Sequence, residues 1–161
     1  MRKNIISQEE RVKGFVQGLQ QAGLRVTSGR LAICRLLAQS TKHPTATYVY
    51  QRLHADYPAL SLATVYNTLN TLLALGLVGE IGDVGDHQRH YDPDSRLHAN
   101  LVCINCHQIR DLQDSGLPMV RHRVAQRSGY QLQGARLVFY GICPKCARKR
   151  KPYIKRTQSI L

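Results

Sequence analysis

Two pairs of cysteines constrain the fold of this chain more than any other feature of its sequence. Cys103 and Cys106 form one CxxC pair, Cys143 and Cys146 form a second, and an apolar stretch precedes each. A two-residue spacer lets both thiolates of a pair face one ion, so two pairs complete the tetrahedral four-sulfur set typical of structural Zn²⁺. Free thiols or a redox dithiol are the alternative, although a redox site needs only one CxxC. The second half of the chain is therefore predicted to fold around Zn²⁺.

The cellular compartment bears on this interpretation, because exported cysteines are usually oxidised to disulfides. The first residues, MRKNIISQEERVKG, carry positive charge but no apolar run of about 7 to 15 residues that a secretory signal requires. No run approaches the roughly 18 apolar residues needed to span a bilayer. We therefore expect a cytoplasmic protein with reduced cysteines and no membrane association. The fifth cysteine, Cys34, lies on an apolar helix face and is expected in the core.

The chain is strongly basic, with 23 Lys and Arg against 10 Asp and Glu and a formal charge of +13. Six of the basic residues lie in the segment 147–161, which has no acidic residue. Such an excess favours a polyanionic partner, DNA or RNA. Charge that serves only solubility is the alternative.

Apolar periodicity and capping residues predict four helices, then a β-hairpin, then a mixed segment. The helices are predicted at about 9–21, 27–39, 44–57 and 61–76, and the hairpin strands at 77–81 and 88–91. Beyond a hinge at 92–95, strands are predicted at 97–102, 108–112 and 130–142, with a helix at 117–128. This order predicts an α+β fold: a winged helix-turn-helix domain over 1–92, an α/β domain over 96–146, and a basic tail over 147–161.

The fourth helix has an unusual outer face. Its apolar face is formed by Leu62, Val65, Leu69, Leu72 and Leu73. The opposite side carries uncharged hydrogen-bonding residues around Asn67, where solvated helices usually carry Lys and Glu. Such side chains suit the edges of base pairs in a major groove.

His98-Ala-Asn100 followed by a later proline-containing CxxC is superficially similar to the signature of zinc deaminases. Those enzymes need His-x-Glu, with the Glu as proton shuttle, and a proline directly before the CxxC. Here Asn100 stands at the position of the Glu, and Pro144 lies inside the CxxC. The chain would lack a general acid or base, so we predict that it is not an enzyme.

Several ordered motifs between residues 23 and 146 together resemble one known family. They are AGLRVTSGRLAI, HPTATYVYQRL, PALSLATVYNTLNTL, GLVGEI, RHYDPDSRLHANLVCINC, IRDL and LVFYGICPKC. The chain resembles the ferric uptake regulator family of metal-dependent transcriptional repressors. The resemblance implies a winged helix that binds a double-stranded DNA operator, a second domain that forms a homodimer, and structural Zn²⁺ on the four paired cysteines.

The resemblance also implies a regulatory Fe²⁺ or Mn²⁺ site where the domains meet. Its ligands by position would be His43, Asp92, His98, the residue two positions further on, and Asp111. Imidazole and carboxylate groups suit these ions. The family usually has His at the position of Asn100, so the site is expected to have four ligands, to be completed by water or by His90, or to be weak.

The uncharged face of the fourth helix and the resemblance together give the expected DNA contacts. Thr64, Tyr66 and Asn67 are expected in the major groove, and Arg25 matches a basic residue that reaches the minor groove.

Two positions favour the peroxide-sensing branch of the family. Asp111 stands where iron-sensing members commonly have Glu, and Asn67 stands where they commonly have Arg. In peroxide sensors Fe²⁺ reacts with H₂O₂ and a ligating histidine is oxidised, and His43 and His98 match those histidines. An iron- or manganese-responsive repressor of the same family is the alternative. From another class, a zinc-ribbon RNA-binding or adaptor protein stays possible.

Overall fold

The computed structural model describes residues 7–149. Its helices are α1 (Gln8–Gln21), α2 (Ser28–Gln39), α3 (Ala46–Leu53), α4 (Leu62–Ala74), α5 (Leu117–Ser128) and α6 (Pro144–Arg148). Its strands are β1 (Gly79–Gly82), β2 (His90–Asp92), β3 (Ala99–Cys103), β4 (Ile109–Leu112) and β5 (Leu137–Gly141). Most of the predicted basic tail lies outside the described residues. None of the helices in the described range has the length and apolar character needed to cross a bilayer.

The first four helices begin where hydroxyl side chains can cap them. Ser7, Thr27, Thr45 and Ser61 each accept a hydrogen bond from the backbone N–H three residues later. Each bond satisfies a donor that has no partner within the helix. Helix α3 is shorter than predicted, because it ends at Leu53 and the chain continues as a turn toward Pro58.

Helices α1 to α4 enclose one apolar core, which strand β2 completes with Tyr91. The largest fully buried members are Leu19, Ile33, Leu37, Val49, Val65, Leu69, Leu72 and Tyr91. Cys34 is fully buried among them, and burial raises the pKa of its thiol to about 12. The prediction that Cys34 belongs to the core is therefore confirmed.

Strands β1 and β2 pair antiparallel and form the wing of the winged helix. The second sheet has the order β4-β3-β5, with β3 antiparallel to β4 and parallel to β5. The prediction of a strand over 130–142 is wrong for residues 130–136. Within residues 7–149, strand β5 pairs only with β3, which is five residues long, so the residues before Leu137 have no partner strand in that range.

One set of contacts joins the winged helix to the second sheet, and another joins it to the hinge segment. Ile81 and Val84 of the wing form an apolar cluster with Val102 of β3. On the other side, Arg11 of α1 donates hydrogen bonds to the carbonyl oxygens of Ala38 and Pro93, at 2.9 and 2.7 Å. The hinge after Asp92 is thereby fixed against the helices.

Candidate metal centres

The four paired cysteines meet at the end of the second sheet. Cys103 ends β3, Cys106 lies in the following turn, Cys143 caps α6 and Cys146 lies within α6. Their four Sγ atoms lie within 4.8 Å of one another, and those of Cys106 and Cys143 are 3.8 Å apart. Four sulfurs at about 2.3 Å from a tetrahedral Zn²⁺ are about 3.8 Å apart. The donor set and the spacing both suit structural Zn²⁺.

The pKa values of two thiols in this cluster differ from that of a free cysteine. Burial alone would raise the pKa of Cys103, but backbone N–H groups, first that of Cys143, donate to its sulfur and lower the pKa to about 6. The backbone N–H of Gln108 lowers the pKa of Cys106, yet shared hydrogen bonds with Cys103 and the other thiols raise it to about 11. A bound Zn²⁺ stabilises all four sulfurs as thiolates.

The residue after Cys106 links this cluster to the wing. His107 has a positive φ of 58°, and its Nδ1 is 2.7 Å from the carbonyl oxygen of Val84. Gly85, with φ +106°, lies under the ring, and a Cβ there would come within 2.6 Å of it. Nothing in the sequence pattern pointed to this contact. The wing is thus held directly by the turn that carries a cysteine of the cluster.

A second cluster lies where the two halves of the chain meet. His43 precedes α3 and Asp92 ends β2, while His98 precedes β3 and Asp111 lies in β4. Nε2 of His43 is 2.9 Å from Asp111 Oδ1 and 3.8 Å from Asp92 Oδ1. Nε2 of His98 is 3.0 Å from Asp92 Oδ2 and 3.9 Å from Asp111 Oδ1. All four side chains expected from the sequence therefore come together, two from each side of the hinge.

The two histidines of this cluster differ in charge. Burial lowers the pKa of His43, although Asp111 and Asp92 oppose the effect. The hydrogen bond to Asp92 raises the pKa of His98 to about 9. Burial would raise the pKa of Asp92, but His98 and the backbone N–H of Asp94 lower it overall. Near neutral pH the cluster without an ion thus holds a proton on His98, which a bound metal must displace.

Asn100 lies beside these ligands on β3, opposite Asp111 in the strand register. Its side chain is buried, and Nδ2 donates toward Asp92 Oδ2 at 3.3 Å and lies 3.4 Å from His98 Nε2. Its Oδ1 has no hydrogen-bond partner in the described part of the chain. A buried acceptor without a donor lowers the free energy of unfolding by about 1 to 3 kcal/mol, so the unpaired Oδ1 destabilises the folded protein.

His90 is one of the alternatives offered for the missing ligand, and the structure does not bring its ring nitrogens into the cluster. Its Nδ1 is 2.9 Å from the carbonyl oxygen of His43, and its Nε2 is 2.9 Å from Asp86 Oδ2. Both ring nitrogens are therefore engaged, and the ring holds the backbone of His43 in place.

Imidazole and carboxylate groups in the cluster itself suit Fe²⁺ or Mn²⁺.

The residues expected to contact bases lie on the outer side of α4. Tyr66 is 41% exposed, Asn67 is exposed and Thr64 is half-buried. Arg30, which sequence reasoning missed, donates to Asn67 Oδ1 at 3.4 Å and to the carbonyl oxygen of Arg25 at 2.7 Å. The start of α2 and the face of α4 thus form one continuous polar surface.

Comparison with known proteins assigns the chain to a family. The model of the ferric uptake regulator family matches residues 21–140, well over half of the chain. The chain belongs to this family. Its members are transcriptional regulators, not enzymes. The predicted α+β fold, with a winged helix and a C-terminal zinc knuckle, agrees with the family fold.

Individual relatives include peroxide and metal regulators. The peroxide-responsive repressor PerR of Staphylococcus aureus (strain Mu50) is 34% identical over 149 residues, which cover 92% of this chain and all of that protein. The Campylobacter jejuni peroxide stress regulator has a TM-score of 0.67 and 33% identity, covering 81% of this chain and 98% of that one. A ferric uptake regulator of Pseudomonas aeruginosa, solved with manganese, has a TM-score of 0.67 and 29% identity, covering 80% and 97%.

Proposed function

We propose that this protein is a metal-activated transcriptional repressor that binds an operator in double-stranded DNA. The observation that carries the proposal is the cluster of His43, His98 and Asp111, whose ligand atoms lie within 4.8 Å of one another. Asp92 adjoins it, 3.8 Å from His43 Nε2 and 3.0 Å from His98 Nε2, so both sides of the hinge contribute to the cluster. An ion held by both sides stabilises one arrangement of the two domains predicted at 1–92 and 96–146. Metal binding would thereby control how the winged helix is presented to DNA.

The surface of α4 supports DNA as the partner. Its exposed side offers Tyr66 and Asn67 without an acidic neighbour on the same helix, and Arg25 lies next to it. Asn can form a bidentate contact with adenine, and apolar groups can touch the methyl group of thymine. Arg25 would contact the adjoining backbone or minor groove. Such a repressor acts where its operator lies, so we place it in the cytoplasm with the chromosome.

Homodimer formation is supported by apolar surface on the second domain. Helix α5 has no buried residue, and the strands of the sheet also leave large side chains exposed. The most exposed are Met119, Val120, Val124, Tyr130, Phe139 and Tyr140. A soluble protein rarely leaves an extended apolar surface uncovered, and a two-fold dimer would bury it while placing two winged helices on successive half-sites.

Peroxide is the proposed signal. The support is the similarity to peroxide regulators, the Asp at position 111, and the presence of both the His43 and His98 imidazoles in a single cluster. Bound Fe²⁺ would supply the reduction of H₂O₂ that generates an oxidant next to these imidazoles. A histidine that gains an oxygen is no longer the same ligand, so the two domains would separate and the operator would be released.

The metal requirement is tested by operator binding. Zinc-loaded protein is treated with EDTA to remove weakly held metal, and a duplex selected from a random pool is titrated with and without Mn²⁺. We expect Mn²⁺ to raise operator affinity in the wild type and in Asp56→Ala, which changes an exposed aspartate outside the cluster. Asp111→Ala should lose the response. Equal DNA affinity with and without Mn²⁺ in the wild type would refute the proposal. Tighter binding to a random RNA pool than to the DNA pool would favour the zinc-ribbon RNA-binding protein instead.

The signal is tested on the iron form. Anaerobic Fe²⁺-loaded protein on its operator should release the DNA after H₂O₂, and the peptide holding His43 or His98 should gain the mass of one oxygen. The Mn²⁺ form should stay bound and unmodified. If the Fe²⁺ form stays on the operator with both histidines intact, the iron- or manganese-responsive repressor takes the place of the peroxide sensor.

A further inference from the structure

The side chain of Asn100 is the one part of the regulatory cluster that the proposed function does not yet use. Only 3% of this residue is exposed, and its Oδ1 lacks a hydrogen-bond partner within residues 7–149. Its Nδ2 faces Asp92 and His98, the two residues that offer ligand atoms on that side of the cluster. Because no hydrogen bond holds Oδ1 in this orientation, turning the amide so that its oxygen faces the ligands would break no bond made by that oxygen.

The distances place the amide where a further ligand belongs. Atoms that bind one octahedral ion at about 2.1 Å and at right angles lie about 3 Å from each other. His98 Nε2 and Asp92 Oδ2 are 3.0 Å apart, and the amide atom of Asn100 lies 3.4 and 3.3 Å from them. The three atoms therefore have the spacing of three neighbouring ligands of one ion.

The amide must present its oxygen to act as a ligand. A half-turn about the Cβ–Cγ bond exchanges Oδ1 and Nδ2, which are nearly identical in size. Beside a divalent cation an N–H donor is repelled, whereas a carbonyl oxygen is attracted. The arrival of the ion would thus favour the orientation in which Oδ1 occupies the place near Asp92 and His98.

We propose that Asn100 is a ligand of the regulatory ion through Oδ1, and that it shifts the preference of the site toward Mn²⁺. The inference rests on the proposed function only in taking the cluster as the regulatory metal site. The ligands would be two imidazoles and three side chains that bind through oxygen. Carboxylate and carbonyl oxygens suit Mn²⁺, while each imidazole gives a larger gain to ions later in the Irving–Williams series. Asn in place of a third imidazole should therefore reduce the amount by which the affinity for Fe²⁺ or Co²⁺ exceeds the affinity for Mn²⁺.

Metal titration of the zinc-loaded full chain tests this directly. Mn²⁺ and Co²⁺ affinities are measured for the wild type, Asn100→Ala, Asn100→His and Asn70→Ala, a matched control at an exposed asparagine. We expect Asn100→Ala to weaken Mn²⁺ binding at least tenfold and Asn100→His to raise the ratio of Co²⁺ to Mn²⁺ affinity at least tenfold. Mn²⁺ affinity within twofold of the wild type in a folded Asn100→Ala protein would overturn the proposal, as would an unchanged ratio in Asn100→His.

A second measurement needs no variant and holds if Asn100→Ala does not fold. Wild-type protein containing asparagine labelled with ¹³C at Cγ is loaded with Mn²⁺ and studied by electron-nuclear double resonance. We expect a ¹³C coupling of the size produced by a directly bound amide and nitrogen couplings from two imidazoles. Absence of the ¹³C coupling would overturn the proposal. These readouts involve no DNA, so a protein that binds Mn²⁺ through Asn100 but ignores operator DNA would refute only the proposed function.

Discussion

Replacing Arg11 tests whether the hinge is held by the helices. Its guanidinium donates to the carbonyl oxygens of Ala38 and Pro93, which joins α1, α2 and the residue after Asp92. Hydrogen bonds from a charged donor each contribute about 1.5 to 3 kcal/mol. Because Arg11 is only half-buried, we take the lower part of that range and expect Arg11→Ala to reduce the free energy of unfolding by about 2 to 4 kcal/mol.

Urea unfolding of the zinc-loaded protein measures this loss. With a urea dependence of about 2 kcal/mol per molar, the midpoint should fall by about 1 to 2 M. Arg35→Ala on the exposed side of α2 is the control, and Arg11→Lys should lie between, since an ammonium cannot span both carbonyl groups as the planar guanidinium does. Mn²⁺ affinity should fall with stability in Arg11→Ala, because Pro93 adjoins a ligand. If Arg11→Ala and Arg35→Ala have the same urea midpoint and the same Mn²⁺ affinity, the reasoning is refuted.

Three further predictions follow from the two clusters and from α4. Cys103→Ser should lose Zn²⁺ and unfold or aggregate, because a closed four-sulfur site contributes folding free energy; a folded, zinc-free variant would contradict this. Asn67→Ala should reduce discrimination between base pairs at one or two operator positions by about 1 to 3 kcal/mol, measured by competition between duplex variants. Unchanged base preferences would show that the Asn67 face of α4 does not contact the bases. Mn²⁺ affinity should rise between pH 7 and pH 9, because the pKa of His98 is about 9 and its proton must leave before the metal binds; calorimetry should detect the released proton, and a flat profile would exclude this protonation state.

Local sequence patterns predicted the helices and the zinc cluster well, since their determinants are close in the chain. Hydroxyl caps at Ser7, Thr27, Thr45 and Ser61 mark the helix starts. The two-residue spacer within each CxxC pair is enough to let both thiolates of the pair face one ion. The regulatory ligands came from family resemblance, because nothing local relates His43 to Asp111 across the chain.

Features that depend on long-range partners could not be predicted in this way. The start of β5 at Leu137 depends on the length of β3, which no pattern within 130–142 reveals. The contacts of Arg11 with Pro93 and of His107 with Val84 join segments that are distant in sequence. His90 was considered a ligand because it is a histidine near Asp92, and only the structure shows its ring nitrogens engaged elsewhere.

The central claim is that binding of the regulatory metal and binding of operator DNA are linked. The most direct test is to measure the Mn²⁺ affinity of the zinc-loaded protein with and without saturating operator. If ligands from both sides of the hinge bind one ion and thereby select the DNA-binding arrangement, the two affinities are linked by one coupling free energy. Operator DNA should then tighten Mn²⁺ binding by the same factor by which Mn²⁺ tightens operator binding, a factor on the order of 5 to 150. Mn²⁺ affinity that is unchanged by the operator would contradict the account.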